Sequence, residues 1–165
     1  MSIDIATFPE SGHDHRACVR SALHDAETYC SEKGLRLTPI RRRVLELVWK
    51  SHRPSGAYTL LEQLAADGHK PSPPTVYRAL DFLREHGLIH RVSSRNAFVG
   101  CTRPGDSHVA QIFICDRCGV AVEHSDTAIV SRIRLSAQDL NFQIREQTVE
   151  IAGLCPLCSG GSNET

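Results

Sequence analysis

Apolar residues recur at helical intervals in four segments of the first half of the chain, and short polar turns separate these segments. The second segment opens with Thr38 and Pro39, a capping residue followed by a proline at the first helical position, and the fourth opens in the same way with Ser72 and Pro73. Glycines suited to the end of a helix follow three of the segments, at Gly34, Gly68 and Gly87. The pattern predicts four helices.

Alternating apolar and polar positions replace the helical period after the fourth segment. The runs "LIHRV" and "NAFVGC" predict two strands around the polar turn "SSRN". Helix, short turn, helix and hairpin is the order of a winged helix-turn-helix domain, whose last helix enters the major groove of DNA. In that helix Val76, Leu80 and Leu83 predict a buried face. The residues left exposed near its start are Thr75, Tyr77, Arg78 and Asp81.

The second half of the chain mixes strand and helix patterns. "GVAVEH" predicts a strand, and "SDTAIVSRIRLSAQDLN" predicts a helix capped by Ser125 or Asp126. After it, "FQIREQTVEIAGL" alternates as a strand does, from Phe142 to Ile151. We therefore predict an α+β protein.

Charge limits where a nucleic acid could bind. The whole chain has 19 basic and 19 acidic residues, so it has no net field that attracts DNA. Between residues 38 and 95, however, ten basic residues face five acidic ones, an excess of five. A locally basic domain suits phosphate contact, although a helical domain with a solvated charged face is the alternative on these features alone.

The chain has the composition of a cytoplasmic protein. The opening "MSIDIATFPESGHDH" has no apolar signal region, and no stretch approaches the about 18 apolar residues of a membrane helix. We expect no membrane association. In a reducing compartment, the seven cysteines are more often metal ligands than disulfides.

Four of the cysteines form two Cys-x-x-Cys pairs, Cys115 with Cys118 and Cys155 with Cys158, and 36 residues separate the pairs. Four thiolates on two tight turns suit a tetrahedral zinc ion. A redox pair is the alternative, but such a pair lies at a helix N-terminus, whereas a predicted strand follows Cys118. We interpret the four cysteines as a structural zinc site.

Three stretches resemble the ferric uptake regulator family, and most closely its zinc uptake regulator branch: "LRLTPIRRRVLELV", "PSPPTVYRALDFLREHGLIHRV" and "FICDRCG". The resemblance implies a homodimeric, metal-activated repressor of the bacterial cytoplasm that binds a palindromic operator in double-stranded DNA and controls zinc-uptake genes. It also implies four regions: a winged-helix DNA-binding domain with an N-terminal helix over residues 1–101, a hinge linker over 102–108, an α/β dimerisation domain over 109–158 and a flexible tail over 159–165.

The predicted hairpin places His90 opposite Val99 and makes Cys101 its diagonal neighbour, about 7–8 Å away, so one metal could contact both. The positions that match the regulatory zinc ligands of the zinc uptake regulators are His90, Cys101, His108 and Glu123. One thiolate, two imidazoles and one carboxylate favour zinc over a harder ion. His124 competes with Glu123, but strand alternation places the two on opposite faces. We therefore expect two zinc ions per chain, one structural and one regulatory.

We predict DNA contacts from the third helix, from the fourth helix, which would enter the major groove, and from the turn between them. Lys70, in that turn, is expected to contact a phosphate, and Arg78 to read a base. The full set is Tyr58, Lys70, Thr75, Tyr77 and Arg78.

Two other functions compete with a zinc-responsive repressor. Iron- or peroxide-responsive repressors of the same family have a histidine-rich run where this chain has "GDSHVA" with one histidine. A zinc-dependent hydrolytic enzyme of the deaminase type needs His-x-Glu before Pro-Cys-x-x-Cys, and neither motif occurs. We expect no enzymatic activity and no small organic substrate. No function is assigned to Cys18 and Cys30. His13, His15 and His24 could add a weak metal site, but mobile N-terminal histidines usually have no function.

Overall fold

The computed structural model describes residues 7–10 and 12–160. Within these residues, the N-terminal half contains α1 (His15–Glu32), α2 (Pro39–Val48), α3 (Ala57–Ala66), α4 (Pro73–Glu85), β1 (Ile89–Val92), a 3-10 turn (Ser93–Arg95) and β2 (Ala97–Gly100). The C-terminal half contains β3 (Gln111–Cys115), β4 (Ala121–His124), α5 (Thr127–Asp139), β5 (Val149–Gly153) and α6 (Pro156–Ser159). The predicted α+β class and the four N-terminal helices are confirmed.

The predicted helix boundaries have physical causes in the structure. The hydroxyl of Thr38 accepts a hydrogen bond from the backbone N–H of Arg41 at 3.5 Å, so Thr38 caps α2 as predicted. Ser72 occupies the N-cap position of α4, but its hydroxyl pairs with that of Thr75 at 2.9 Å and makes no cap hydrogen bond. Gly87 adopts a φ of +65° just beyond α4, a left-handed conformation that glycine reaches without steric cost.

The helices α1 to α4 enclose one hydrophobic core. Its most deeply buried side chains come from α2, α3 and α4, and each contributes roughly 1.5–3 kcal/mol on transfer from water. They include Leu45, Leu60, Leu64, Leu80 and Leu83. The predicted buried face of α4 is confirmed, because Val76, Leu80 and Leu83 are at most 1% exposed.

The hairpin of β1 and β2 packs on the end of this helical core. Its register pairs His90 with Val99, as predicted. Gly100 lies directly against the Trp49 ring, and a Cβ at this position would meet the indole at 2.0 Å. Trp49 therefore requires glycine at position 100, and this contact fixes the backbone immediately before Cys101.

The C-terminal sheet has the strand order β4-β3-β5, with β3 antiparallel to β4 and parallel to β5. Gln111 is fully buried at the start of β3, where its side-chain oxygen accepts from the backbone N–H of Asp126 at 2.6 Å. Asp126 caps α5 by accepting from the N–H of Ala128 at 2.7 Å. The strand predicted from Phe142 to Ile151 is confirmed only in its second part: β5 begins at Val149, whereas Phe142 donates its N–H to Ala137 at the end of α5.

Several hydrogen bonds join the two halves of the molecule. The carboxylate of Glu150 on β5 accepts from the backbone N–H groups of Ser93 at 2.6 Å and Ser94 at 3.1 Å, in the turn of the hairpin. The N–H of Ala121 donates to the carbonyl of His52 at 2.8 Å. These contacts set β4 beside the helical half.

No helix among the described residues is both long and apolar enough to cross a membrane. The tail predicted over residues 159–165 begins on the last residue of α6. Residues 161–165 of that tail lie outside the described residues.

Candidate metal centres and nucleic-acid interface

The two Cys-x-x-Cys pairs lie together at one end of the C-terminal sheet. Cys115 ends β3 and pairs in parallel register with Gly153 of β5, so the turn after β3 lies beside the segment that leads into α6. The Sγ atoms of Cys118 and Cys155 are 3.7 Å apart, and all four sulfurs lie within 4.8 Å of one another. A disulfide requires a separation of about 2.05 Å, and all seven cysteines are free thiols.

The four thiols do not share one acidity. Hydrogen bonds from the backbone of Cys118, and then of Cys155, lower the pKa of Cys115 to about 6. Burial, and then hydrogen bonding to Cys155, raises the pKa of Cys158 to about 12. One thiolate therefore forms readily, whereas four neighbouring thiolates repel one another unless a cation lies between them. The cluster has the donor set and the spacing of a closed structural zinc site.

A second cluster joins the hairpin to the C-terminal sheet. His90 is on β1, Cys101 follows β2, His108 ends the connector, and Glu123 is on β4. The ligand atoms of these four residues lie within 4.8 Å of one another. The Oε1 atom of Glu123 is 3.0 Å from Nε2 of His90 and 2.5 Å from Nε2 of His108, and the sulfur of Cys101 is 3.7 Å from the latter nitrogen.

Glu123 is ionised at the centre of this cluster. Burial alone would raise the pKa of Glu123, but hydrogen bonding and charge from His90, the N–H of Thr102 and then His108 outweigh burial and hold it at about 2. His124, the competing candidate, is the register partner of Gln111 and points to the other face of β4, where its ring lies 6.1 Å from that of Phe113.

Whereas Glu123 is held in its charged form, Cys101 is held in its neutral form. Burial, and then the carboxylate of Glu123, raises the pKa of the Cys101 thiol to about 12. A neutral thiol is a poor ligand, so this buried sulfur becomes a thiolate only beside a positive charge. One sulfur, two imidazole nitrogens and a carboxylate fit a borderline-soft tetrahedral cation, and the residues present therefore fit zinc.

Thr102 is a contact of this cluster that we did not single out from the sequence. Its backbone N–H donates to Oε2 of Glu123 at 2.7 Å, and its hydroxyl donates to the same oxygen at 2.9 Å. These bonds hold one carboxylate oxygen and leave Oε1 toward the imidazoles. In the sequence, only the place of Thr102 directly after Cys101 could have indicated that it holds the Glu123 carboxylate.

The predicted DNA-binding residues lie on α3, on α4 and in the turn between them, and all but Thr75 are exposed. Tyr58 is 73% exposed and Tyr77 46% exposed, which is high for aromatic residues. Arg42, Arg43 and Arg95 are held by carboxylates, whereas Lys70 and Arg78 form no ion pair within the described part of the chain. Thr75 is half-buried and bonded to Ser72. The Lys70 ammonium and the Arg78 guanidinium are therefore available to contact a nucleic acid.

A third cluster was not predicted as a group. His13, His15, Cys18 and His52 each offer one ligand atom, and these atoms lie within 4.8 Å of one another. His24, which we considered with the other N-terminal histidines, is exposed on α1 and lies outside the cluster. In the sequence, only the spacing of His15 and Cys18 indicates this cluster, because it places both side chains on one face of a helix. His52 is distant in the chain and shares no local pattern with them.

The sequence profile of the ferric uptake regulator family matches residues 32–152. The chain belongs to this family. It is 37% identical over 146 residues to the zinc uptake regulation protein of Escherichia coli (strain K12), and the alignment covers 87% of this chain and 84% of that protein. The structure of a zinc uptake regulator complexed with zinc and DNA matches this chain with a TM-score of 0.80 and 37% identity. This match covers 86% of this chain and 95% of the chain in that structure.

Two crystal structures of another relative, XcZur, distinguish conformations within the family. The holo form matches with a TM-score of 0.78 at 46% identity, covering 84% of this chain and 97% of that one. The apo form matches with a TM-score of only 0.51 at 44% identity, covering 86% and 98%. At nearly equal identity and coverage, this chain has the overall arrangement of the holo form.

Proposed function

We propose that this protein is a zinc-responsive transcriptional repressor that binds operator DNA as a zinc-loaded homodimer and controls zinc-uptake genes. One zinc per chain is structural, held by Cys115, Cys118, Cys155 and Cys158. A second zinc is regulatory, held by His90, Cys101, His108 and Glu123. DNA is contacted by Tyr58, Lys70, Thr75, Tyr77 and Arg78.

The observation that carries this proposal is the convergence of ligands from two regions. His90 and Cys101 belong to the hairpin that ends the helical half, and Glu123 belongs to the C-terminal sheet. A cation bound by all of them fixes the angle between the halves. In a dimer that angle sets the distance between the two α4 helices, which must match the spacing of half-sites on DNA. The match to holo rather than apo XcZur supports this account.

The proposed domain boundaries follow from the same contacts. The winged-helix domain spans residues 1–101, the hinge 102–108, the dimerisation domain 109–158 and the tail 159–165. Gly105 supports the hinge assignment because its φ of +88° places the connector against the Tyr29 ring, where a Cβ would approach within 2.9 Å. His108 directly ends this connector.

The C-terminal region also supports dimer formation. Large apolar side chains are exposed on α5, at the segment after it, and on both sides of Cys155, and an exposed apolar surface of this kind marks an interface. They are Leu135, Leu140, Phe142, Leu154 and Leu157, with exposed fractions between 49% and 77%.

Zinc rather than iron is the metal that the donors favour. A thiolate in a four-donor set favours a borderline-soft tetrahedral ion over a hard octahedral one. The decisive test is DNA affinity measured by fluorescence anisotropy at buffered free zinc, manganese and iron concentrations. Zinc alone should activate binding in its buffered range, and activation by iron but not zinc would contradict the proposal.

A further inference from the structure

The helical half contains a cluster of metal-binding side chains that neither proposed zinc site uses. We propose that His13, His15, Cys18 and His52 form a third metal site, which takes a tetrahedral, borderline-soft divalent cation of the zinc class. This site goes beyond the proposed function and does not depend on it.

The spacing of the four ligand atoms suits one ion. Nδ1 of His15 lies 3.1 Å from Nε2 of His52, and Nε2 of His13 lies 3.1 Å from the sulfur of Cys18. Ligand atoms bound about 2.0–2.3 Å from a tetrahedral zinc are separated by roughly 3.3–3.8 Å, so only small side-chain movements are needed. The ligand atoms of this cluster lie within 4.8 Å of one another, a limit that the two sites already described also meet.

Local structure places three of the donors. The carboxylate of Asp14 caps α1 by accepting from the N–H groups of Arg16 at 3.1 Å and Ala17 at 3.4 Å, and this fixes the chain at the helix start. His15 and Cys18 then lie one helical turn apart on the same face. His13 precedes the cap and reaches back toward Cys18. The cluster therefore rests on a defined helix terminus.

His52 closes the site from another part of the fold. It lies in the connection between α2 and α3, and its ring contacts those of His15 and His13 with centroid separations of 4.5 Å and 5.1 Å. Its carbonyl accepts from the N–H of Ala121, the first residue of β4. A metal bound here would clip the start of α1 to the connection that contacts β4, the strand that carries Glu123.

The alternative is a packed group of histidines with no ligand. Three imidazoles in contact gain little without a counter-charge, and no carboxylate forms an ion pair with any of them within the described residues. The Nε2 atom of His15 is buried and has no hydrogen-bond partner within the described residues. Three imidazoles beside a thiol form a donor set that a borderline-soft cation completes.

The cluster opens onto a cavity of about 700 Å³ that also reaches Cys101 and Glu123. Ions can therefore reach His13 and Cys18 from the same cavity that borders Cys101 and Glu123 of the second cluster. This shared access predicts that both sites exchange with added zinc, whereas the four-cysteine site retains its metal.

Zinc content of the purified protein, equilibrated with zinc at a buffered free concentration and measured by elemental mass spectrometry, tests the proposal. We expect His52→Ala and His13→Ala each to bind one zinc ion per chain fewer than the unmodified protein. His24→Ala, which removes an exposed histidine of α1, is the matched control and should bind as much zinc as the unmodified protein. Equal zinc content in the unmodified protein and in both cluster variants would overturn the proposal.

Alkylation of Cys18 gives an independent measurement on the same samples. Cys18 is partly exposed, and added zinc should slow its reaction with iodoacetamide at least tenfold in the unmodified protein but not in His52→Ala. Unchanged Cys18 reactivity on zinc addition would contradict the proposal even if both variants lost one zinc ion per chain. Neither measurement uses DNA binding, so failure of the repressor function would leave both results interpretable.

Discussion

The four-cysteine cluster and the cluster at the hinge both offer four donors within 4.8 Å, yet the fold holds them in different ways. Cys115 and the segment before Cys155 belong to one sheet, and the N–H of Asp116 donates to the carbonyl of Gly153 at 2.8 Å. At the hinge, side chains make the connection: Glu123 of β4 is hydrogen-bonded to Thr102 and to two imidazoles. Backbone pairing builds the first cluster, whereas side-chain donors join the second.

This difference indicates which cluster could change the arrangement of the two halves when it gains or loses a metal ion. Removing a cation from the four-cysteine cluster would leave four thiols crowded at the end of β3. Removing a cation from the hinge would leave two halves joined by hydrogen bonds and a short connector. We therefore expect the first loss to act on folding and the second on the angle between the halves.

Cys115→Ser or Cys158→Ser should have the largest effect. A structural zinc site contributes roughly 10 kcal/mol or more to folding, so we expect loss of the folded dimer. Circular dichroism and analytical ultracentrifugation measure this directly. A variant that stayed a folded dimer with unchanged DNA affinity would remove the distinction between the two clusters.

Cys101→Ser should have a large effect of a different kind. It removes the only thiolate of the hinge cluster and leaves both Cys-x-x-Cys pairs intact. We expect a folded dimer that loses one zinc per chain and no longer gains DNA affinity on zinc addition. His90→Ala and His108→Ala should behave alike, and Glu123→Ala more mildly.

DNA affinity at saturating and at chelated zinc, with zinc content determined on the same samples, provides the measurement for these hinge variants. If Cys101→Ser kept its zinc content and a normal zinc response, Cys101 would be a core thiol and the hinge cluster would not be the switch.

Arg78→Ala should separate DNA recognition by α4 from the zinc response of the hinge cluster. The side chain is exposed on α4 and is not held by a carboxylate, so its loss should cost about 1–3 kcal/mol of affinity for the cognate site if it reads a base. The zinc dependence of binding should stay unchanged because no metal cluster is touched. An equal loss of affinity on every DNA sequence would make Arg78 a phosphate contact instead, and Lys70→Ala should show that behaviour.

Glu150→Gln should have the smallest effect. Burial alone would raise the pKa of Glu150, but hydrogen bonds from Ser94 and Ser93 outweigh it and lower that pKa. Because the folded pKa is depressed, the stability from this carboxylate is present above its unfolded pKa and is lost as pH falls through the folded pKa. Thermal unfolding from pH 7 to pH 3 should show a pH-dependent contribution below about 1 kcal/mol, absent in the variant. Identical pH profiles for both proteins would show that this contact does not stabilise the folded protein.

The elements with local signals were predictable. Thr38 with Pro39 determined where α2 begins, glycines marked helix ends, and alternation placed His90 opposite Val99. The Ser72 hydroxyl pairs with that of Thr75 and does not cap α4 as predicted. The predicted strand does not extend back to Phe142, because the Phe142 N–H donates to Ala137. Asn141 adopts a φ of +52° and turns the chain at the end of α5 instead.

The sequence by itself determined which residues offer metal-binding atoms, and the Cys-x-x-Cys spacing even grouped four of them, because a tight turn brings near neighbours together. Tertiary structure alone decided that Thr102 holds Glu123 and that His52 meets His13, His15 and Cys18. His52 is separated from that group by the rest of α1 and all of α2. Only packing of those helices and pairing of His52 with Ala121 in β4 bring it there, and no local pattern encodes a contact that depends on how distant elements pack.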